Sequence, residues 1–292
     1  MRPDTRDWKL IGVTIAVVLG VFAIVFTETQ IKNADASPVL TWTKESPASS
    51  APASAGTSMA YDQATGSLVL FGGDGSGTGT ALDGTWLWTG STWAEQSPAT
   101  SPPARSNAAM AYDAATGDVV LFGGIGSSGN YLSDTWTWNG SNWTEQSPRT
   151  SPSPRADAAV ANDQASGDIV LFGGEATNGQ SLGDTWTWNG SNWAQAEPSR
   201  SPAARTNSSM AYDPATGVVV LFSGFSFSPL CCSADTWTWN GSNWAEQSPS
   251  TSPPAVTAAT MIYDPSASEI VLFGGFAGGS VSSYDETWIW NG

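Results

Sequence analysis

Apolar and polar positions in this chain fall into a unit that recurs about every 50 residues. In the second copy a run of small residues over 108–112 ends at Tyr112-Asp113, and Thr116-Gly117 follows. The four residues 119–122 (Val-Val-Leu-Phe) are apolar without interruption and close on Gly123-Gly124. A nine-residue stretch then leads to Asp134-Thr135-Trp136-Thr137-Trp138, to Asn139-Gly140 and to Trp143. Phe71, Phe122, Phe172, Phe222 and Phe273 mark one phase of the unit, at spacings of 51, 50, 50 and 51. A period near 50 is the signature of a propeller or another array of identical modules.

Each copy divides into four short strands. The small-residue run is strand 1, and Asp113 with Gly117 makes a tight turn, the acid capping the backbone and the glycine taking positive φ. Strand 2, at 119–122, is apolar at every position, so both of its faces must be covered. Trp136 and Trp138 share one face of strand 3 by alternation. Asn139-Gly140 is a strong two-residue hairpin signal leading into strand 4 around Trp143. The Pro-rich piece over 147–154 cannot stay in a ladder, so it crosses to the next module. Fifteen of the 16 tryptophans keep three fixed phases of the repeat, which is what core packing requires.

The Gly doublet, the aromatic strand and the later Trp resemble the kelch repeat across residues 39–292. Only the fourth doublet departs, as Ser223-Gly224. The resemblance implies an all-β, five-bladed propeller of four-stranded antiparallel blades. The run Trp-Thr-Trp-Asn-Gly-Ser-Asn-Trp is similar to that of exported kelch-like proteins of actinobacteria. The fifth copy stops at Trp290-Asn291-Gly292, where strand 4 is due, while residues 39–47 (Val-Leu-Thr-Trp-Thr-Lys-Glu-Ser-Pro) match that strand. The expectation is a ring closed by this N-terminal strand, leaving no open sheet edge.

Residues 10–26 carry no charge and follow Arg2, Arg6 and Lys9. As a helix of 17 residues they would reach about 26 Å, just short of a bilayer core. The basic flank orients residues 1–9 to the cytoplasm and the repeats outward, with 27–38 as a linker. The stretch is long for a cleaved signal, which favours a single-pass anchor in the cell membrane. Ala34-Asp35-Ala36 also offers a signal-peptidase site that would leave a secreted chain beginning at residue 37.

Composition narrows the chemistry. There are 10 Lys and Arg against 26 Asp and Glu, a net charge of −16, and no histidine. Such a surface repels phosphate backbones, which argues against nucleic-acid binding. Kelch propellers also occur in galactose oxidase, but its copper centre needs histidines, so that activity does not carry over. A Ser or Cys nucleophile would lack its imidazole partner. No cofactor or metal is expected, and no enzyme activity.

Arg105, Arg155 and Arg205 start strand 1 in blades 2–4, with Ser54 and Val256 in the other two. Asp83, Asp134, Asp184, Asp235 and Asp285 stand at the start of strand 3. Two readings compete: an anion pocket at the channel mouth, since Arg offers a fork of donors, or repeated intrablade pairs. Tyr131, Phe225, Phe227, Phe276 and Tyr284 lie in 2–3 loops, on the face that carries all the variable sequence, and are candidates for ligand contact. The opposite face, built of tight turns, looks bland. Cys231 and Cys232 are adjacent and so placed for a vicinal disulfide.

The functional expectation is a monomeric extracytoplasmic binding or scaffolding module whose partner is a protein or a cell-envelope glycan. The alternative is a hydrolase or lyase of cell-wall polysaccharide using carboxylates at the channel mouth. That alternative requires one acid that departs from its repeat copies.

Overall fold

The computed structural model describes residues 11–18, 21–28, 46–75, 79–227, 230–277 and 283–292. It divides into two units, Met1–Ser46 and Pro47–Gly292.

In the first unit, Ile11–Val18 and Val21–Glu28 form an antiparallel pair, with Ile11 opposite Glu28 and Val18 opposite Val21. The helix expected over 10–26 is not shown; the described parts of that run are extended. The run is dense in Val, Ile and Thr, whose branched Cβ favours the extended chain. Among the described residues no helix is long and apolar enough to cross a membrane.

The second unit is a five-bladed propeller. Blade 2 shows the design: Ala109–Asp113, Asp118–Phe122, Thr135–Trp138 and Trp143–Gln146 pair in that order, all antiparallel. Blades 1, 3 and 4 repeat it, and in blade 3 the second and third strands lengthen to Asp168–Ala176 and Ser181–Trp188. The described part of blade 5 has three strands, Thr260–Asp264, Glu269–Phe273 and Thr287–Trp290. The strand expected to close the ring lies, apart from Ser46 and Pro47, outside the described residues. The first strands of successive blades lie against one another, so strand 1 is innermost.

Strand 2 is buried on both faces as its composition requires: Val119, Val120, Leu121 and Phe122 are each at most 3% exposed. Its alternate residues enter different clusters. Val119 and Leu121 pack with Val69 and Phe71 of blade 1, while Val120 and Phe122 pack with Ile169 and Leu171 of blade 3. The blades are therefore held face to face by apolar burial.

Tryptophan seals three of the junctions, between blades 1 and 2, 2 and 3, and 3 and 4. The strand-4 Trp143 sets its ring edge against Phe71 of the preceding blade and donates Nε1–H to Thr85 Oγ1 at 2.9 Å. Trp193 does the same to Phe122 and Thr135, and Trp244 to Phe172 and Thr185. The indole thus buries its area and still satisfies its polar handle.

The turns follow their sequence signals. Asp113 Oδ1 accepts the N–H of Ala115, and Gly117, at φ 81°, donates to the Asp113 carbonyl. The Gly doublet has a sharper role. Gly124 N–H donates to the carbonyl of Arg155 in the next blade, and a Cβ on Gly123 would sit 2.6 Å from that same oxygen. These glycines stitch backbone to backbone across the seam, where no side chain fits.

Candidate functional site

The arginines are structural. Arg105 is fully buried and makes a bidentate pair with Asp134, at 2.6 and 2.7 Å. It also donates to the carbonyls of Pro103 and Gly123. Arg155 spends all five N–H groups, on Asp184 twice, the Gly173 carbonyl, the Ser153 carbonyl and Ser153 Oγ. Arg205 pairs with Asp235 in the same way. Burial alone would raise the three carboxyl pKa values. The hydrogen bonds and charge of the arginines outweigh it, with help from Trp136, Trp186 and Trp237, and hold them below the usual carboxylate range. No donor is left over at Arg155 for an anion, and the anion-pocket reading of Arg105, Arg155 and Arg205 gives way to the intrablade pair.

The alignment of acids also needs correction. The residue whose carbonyl accepts the first doublet N–H is Asp134 in blade 2, but Gly84 in blade 1 and Glu286 in blade 5. Asp83 and Asp285 are each one position off. The acid position therefore holds Asp only where strand 1 starts with Arg. Ser54 and Val256 have no such charge to balance.

Two residues beyond each arginine position the chain enters the left-handed region: φ is 62° at Gly56, 57° at Asn107, 54° at Asp157, 54° at Asn207 and 55° at Ala258. Gly, Asn and Asp are the residues that tolerate it. The bend lets each N–H reach the carbonyl of its counterpart in the preceding blade. Asn107 donates to Gly56, Asp157 to Asn107, Asn207 to Asp157 and Ala258 to Asn207, at 2.8 to 3.0 Å. These five residues and their successors, one dipeptide from every blade, line a cavity of about 280 Å³. Contact with all five blades places it on the axis.

Asp157 is the one acid in that ring. Its carboxyl has no hydrogen bond among the described residues, and its pKa is pushed up to about 6, first by burial and then by the charge of Glu175. Glu175 lies opposite Ala156 in the ladder and accepts the Tyr131 hydroxyl at 2.8 Å. Burial and Glu175 push the Tyr131 pKa up to about 12. Tyr131, Glu175 and Asp157 thus form one cluster on the rim. Asp157 was missed in the sequence because its phase, two residues after the arginine, had not been singled out. A lone acid among Gly, Asn, Asn and Ala was the available signal.

The remaining loop aromatics separate. Phe225 and Phe227 stack edge to face at 4.9 Å, with Phe227 exposed, and Phe276 is also exposed. Tyr284 instead packs into the core between blades 4 and 5, beside Phe222 and Leu272. The strand Leu230–Cys232 pairs with Phe225–Phe227; the Cys231 side chain, and with it the vicinal disulfide, lies outside the described residues. Among the described residues no three His, Cys, Asp or Glu side chains gather as a metal site.

The turn face is not bland. Tyr112, Tyr212 and Tyr263 surround a second opening of about 230 Å³, and in blade 3 the same repeat position is Asn162.

A model of the KLHDC2/KLHL20/DRC7 kelch-repeats domain matches residues 36–189, more than half of the chain. No curated protein matches. Among solved structures, one described as the structure of YjhT superposes with a TM-score of 0.65 at 13% identity, covering 82% of this chain and 84% of that one. At that identity the likeness is one of fold.

Proposed function

Because this chain belongs to the kelch-repeat family, we propose that it is a non-enzymatic binding or scaffolding module that receives its partner on the axial mouth and the 2–3 loops. One observation carries this reading. The recurring polar side chain of blades 2–4, Arg155 in blade 3, is saturated by structural partners, whereas Asn107 and Asp157 line the axial cavity with no side-chain hydrogen bond among the described residues. Amide and carboxyl groups in this mouth, with exposed Phe227 and Phe276 in the 2–3 loops, suit a hydroxyl- and amide-rich ligand, such as an envelope glycan or a protein loop. The uncharged run at 10–26 after three basic residues supports export, either anchored or cut after Ala36. N-terminal sequencing of the mature protein separates these two.

The test of the module is a glycan array and an envelope pull-down with the full chain. Asn107→Ala/Asp157→Ala/Asn207→Ala should lose capture that a turn-face variant such as Gln63→Ala keeps. Equal capture by both variants would remove the axial mouth from the account.

A second reading is favoured by Asp157 itself, the singular acid that a carbohydrate hydrolase or lyase requires. With Glu175 and Tyr131 it offers a carboxyl whose pKa is raised to about 6 within a cluster of oxygen acids. Turnover of cell-wall polysaccharide by the wild type, abolished in Asp157→Asn, would replace the module reading with this one.

A further inference from the structure

The opening on the turn face has a lining unlike that of the axial mouth. Tyr112, Asn162, Tyr212 and Tyr263 come to it from strand 1 of blades 2 to 5, with Met210 and Met261 beside them. At about 230 Å³ it is smaller than the usual site for a drug-sized ligand, so it suits one compact head group. Among the described residues no Lys or Arg lines it.

Four blades carry Tyr at this repeat position, as Tyr61, Tyr112, Tyr212 and Tyr263, and blade 3 alone carries Asn162. Where its neighbours place a phenol ring, blade 3 places a short amide. The Asn162 Oδ1 atom is buried and has no hydrogen-bond partner among the described residues, a costly state for an amide oxygen. A second acceptor is left over beside Tyr112. Asp113 is fully buried, and its Oδ2 has no partner among the described residues. The same oxygen of Asp62 and Asp213 accepts the hydroxyl of Thr65 or Thr216.

Charge around this opening has one sign. Every 1–2 turn begins with Asp: Asp62, Asp113, Asp163, Asp213 and Asp264; Asp118, Asp168 and Glu269 then open strand 2 in three blades. Burial raises the Asp118 pKa, and the charges of Asp113 and Asp62 raise it further, so the acids crowd one another. Burial and then Asp62 raise Tyr112, and burial and then Asp163 raise Tyr212, which sets those carboxylates close to the lining. The five basic residues of 47–292 stand elsewhere. Arg105, Arg155 and Arg205 are spent on buried pairs, and Arg149 and Arg200 lie in the crossings between blades.

Aromatic walls, surplus oxygen acceptors and a negative field together select the ligand. A neutral sugar would use the rings and the amide but gain nothing from the field, and an anion would be repelled. We propose that the turn-face opening binds a methylated organic ammonium ion, its methyl groups against Tyr112, Tyr212 and Tyr263 and a donor group of the ligand on Asn162 Oδ1. The site lies on the face opposite the 2–3 loops and does not rest on what the axial mouth binds.

The test is isothermal titration of the full chain with choline. Choline should bind at least about tenfold more tightly than 3,3-dimethyl-1-butanol, which has its shape without its charge. Asn162→Tyr installs the residue of the other blades, so it should keep the wild-type Tm while weakening choline at least about tenfold. Tyr212→Leu keeps apolar bulk without a ring and should weaken choline about three- to tenfold. Asn107→Ala, at the axial mouth, should bind choline as the wild type does. Sedimentation with phosphatidylcholine vesicles, beside binding of free choline, would identify a lipid as the carrier of the head group; binding of free choline alone would identify a solute, and either supports the site. No choline binding by the wild type, equal affinity for the neutral alcohol, undiminished binding in both Asn162→Tyr and Tyr212→Leu, or loss of binding in Asn107→Ala overturns the proposal.

Discussion

Blades 2 to 4 and blades 1 and 5 are built from one repeat, yet they differ at two positions together and at a third alone. Where strand 1 opens with Arg, Asp stands before strand 3; where it opens with Ser54 or Val256, the corresponding residue is Gly84 or Glu286. Positions that change in concert are bound to each other. Asp157 changes with nothing: it shares its blade's arginine pair and differs from Asn107 and Asn207 only in charge. Repetition marks a structural duty, and a solitary departure from it marks a place open to function.

Breaking a concerted pair should have the largest effect. Arg155→Ala leaves the Asp184 carboxylate half-buried without its partner and should cost about 3 kcal/mol in chemical denaturation. The double variant Arg155→Ala/Asp184→Ala should cost less than the sum of its singles. Because the folded pKa values of Asp134, Asp184 and Asp235 are lowered, their contribution is complete above the ordinary carboxylate range. It is lost as pH falls through the lowered folded values.

Removing the solitary charge should have the opposite sign. The Asp157 pKa is raised, so ionisation works against folding as pH climbs from the ordinary value of 3.8 to about 6. Asp157→Asn should therefore stabilise the protein above pH 6, by up to about 3 kcal/mol, with the gain fading below about pH 4. A loss of stability at pH 7 would mean that the carboxylate has a structural partner after all.

A junction hydrogen bond should matter less. Thr135→Val keeps the volume but strands the buried Trp193 Nε1–H, at a cost of about 1–2 kcal/mol by thermal melt. The smallest effect belongs to Arg200 and Glu246, whose side chains are 66% and 47% exposed at 3.5 Å. Arg200→Ala should shift stability by under about 0.5 kcal/mol, because solvent screens the pair.

Much of this architecture was legible from spacing. Four of the five blades, the tight turns and the burial of 119–122 follow from apolar periodicity and Gly placement, which encode local geometry directly. The acid register was misread because the 2–3 loops vary in length, so counting from the loop places Asp83 and Asp285 where the hydrogen bonds place Gly84 and Glu286. The axial site was missed for a different reason. Its defining feature is a backbone conformation shared by Gly56, Asn107, Asp157, Asn207 and Ala258, and those five identities look unrelated until positive φ unites them.

The relay of four backbone hydrogen bonds from Gly56 through Asn107, Asp157 and Asn207 to Ala258 runs around the hub. Each link fixes one module to its neighbour at the smallest radius, where a slight tilt translates into the widest swing at the outer rim. A guest that wedges into the hub would stretch several links at once rather than deform a single wall. Entry of a ligand there should thus be felt at every spoke of the wheel, including those it never touches.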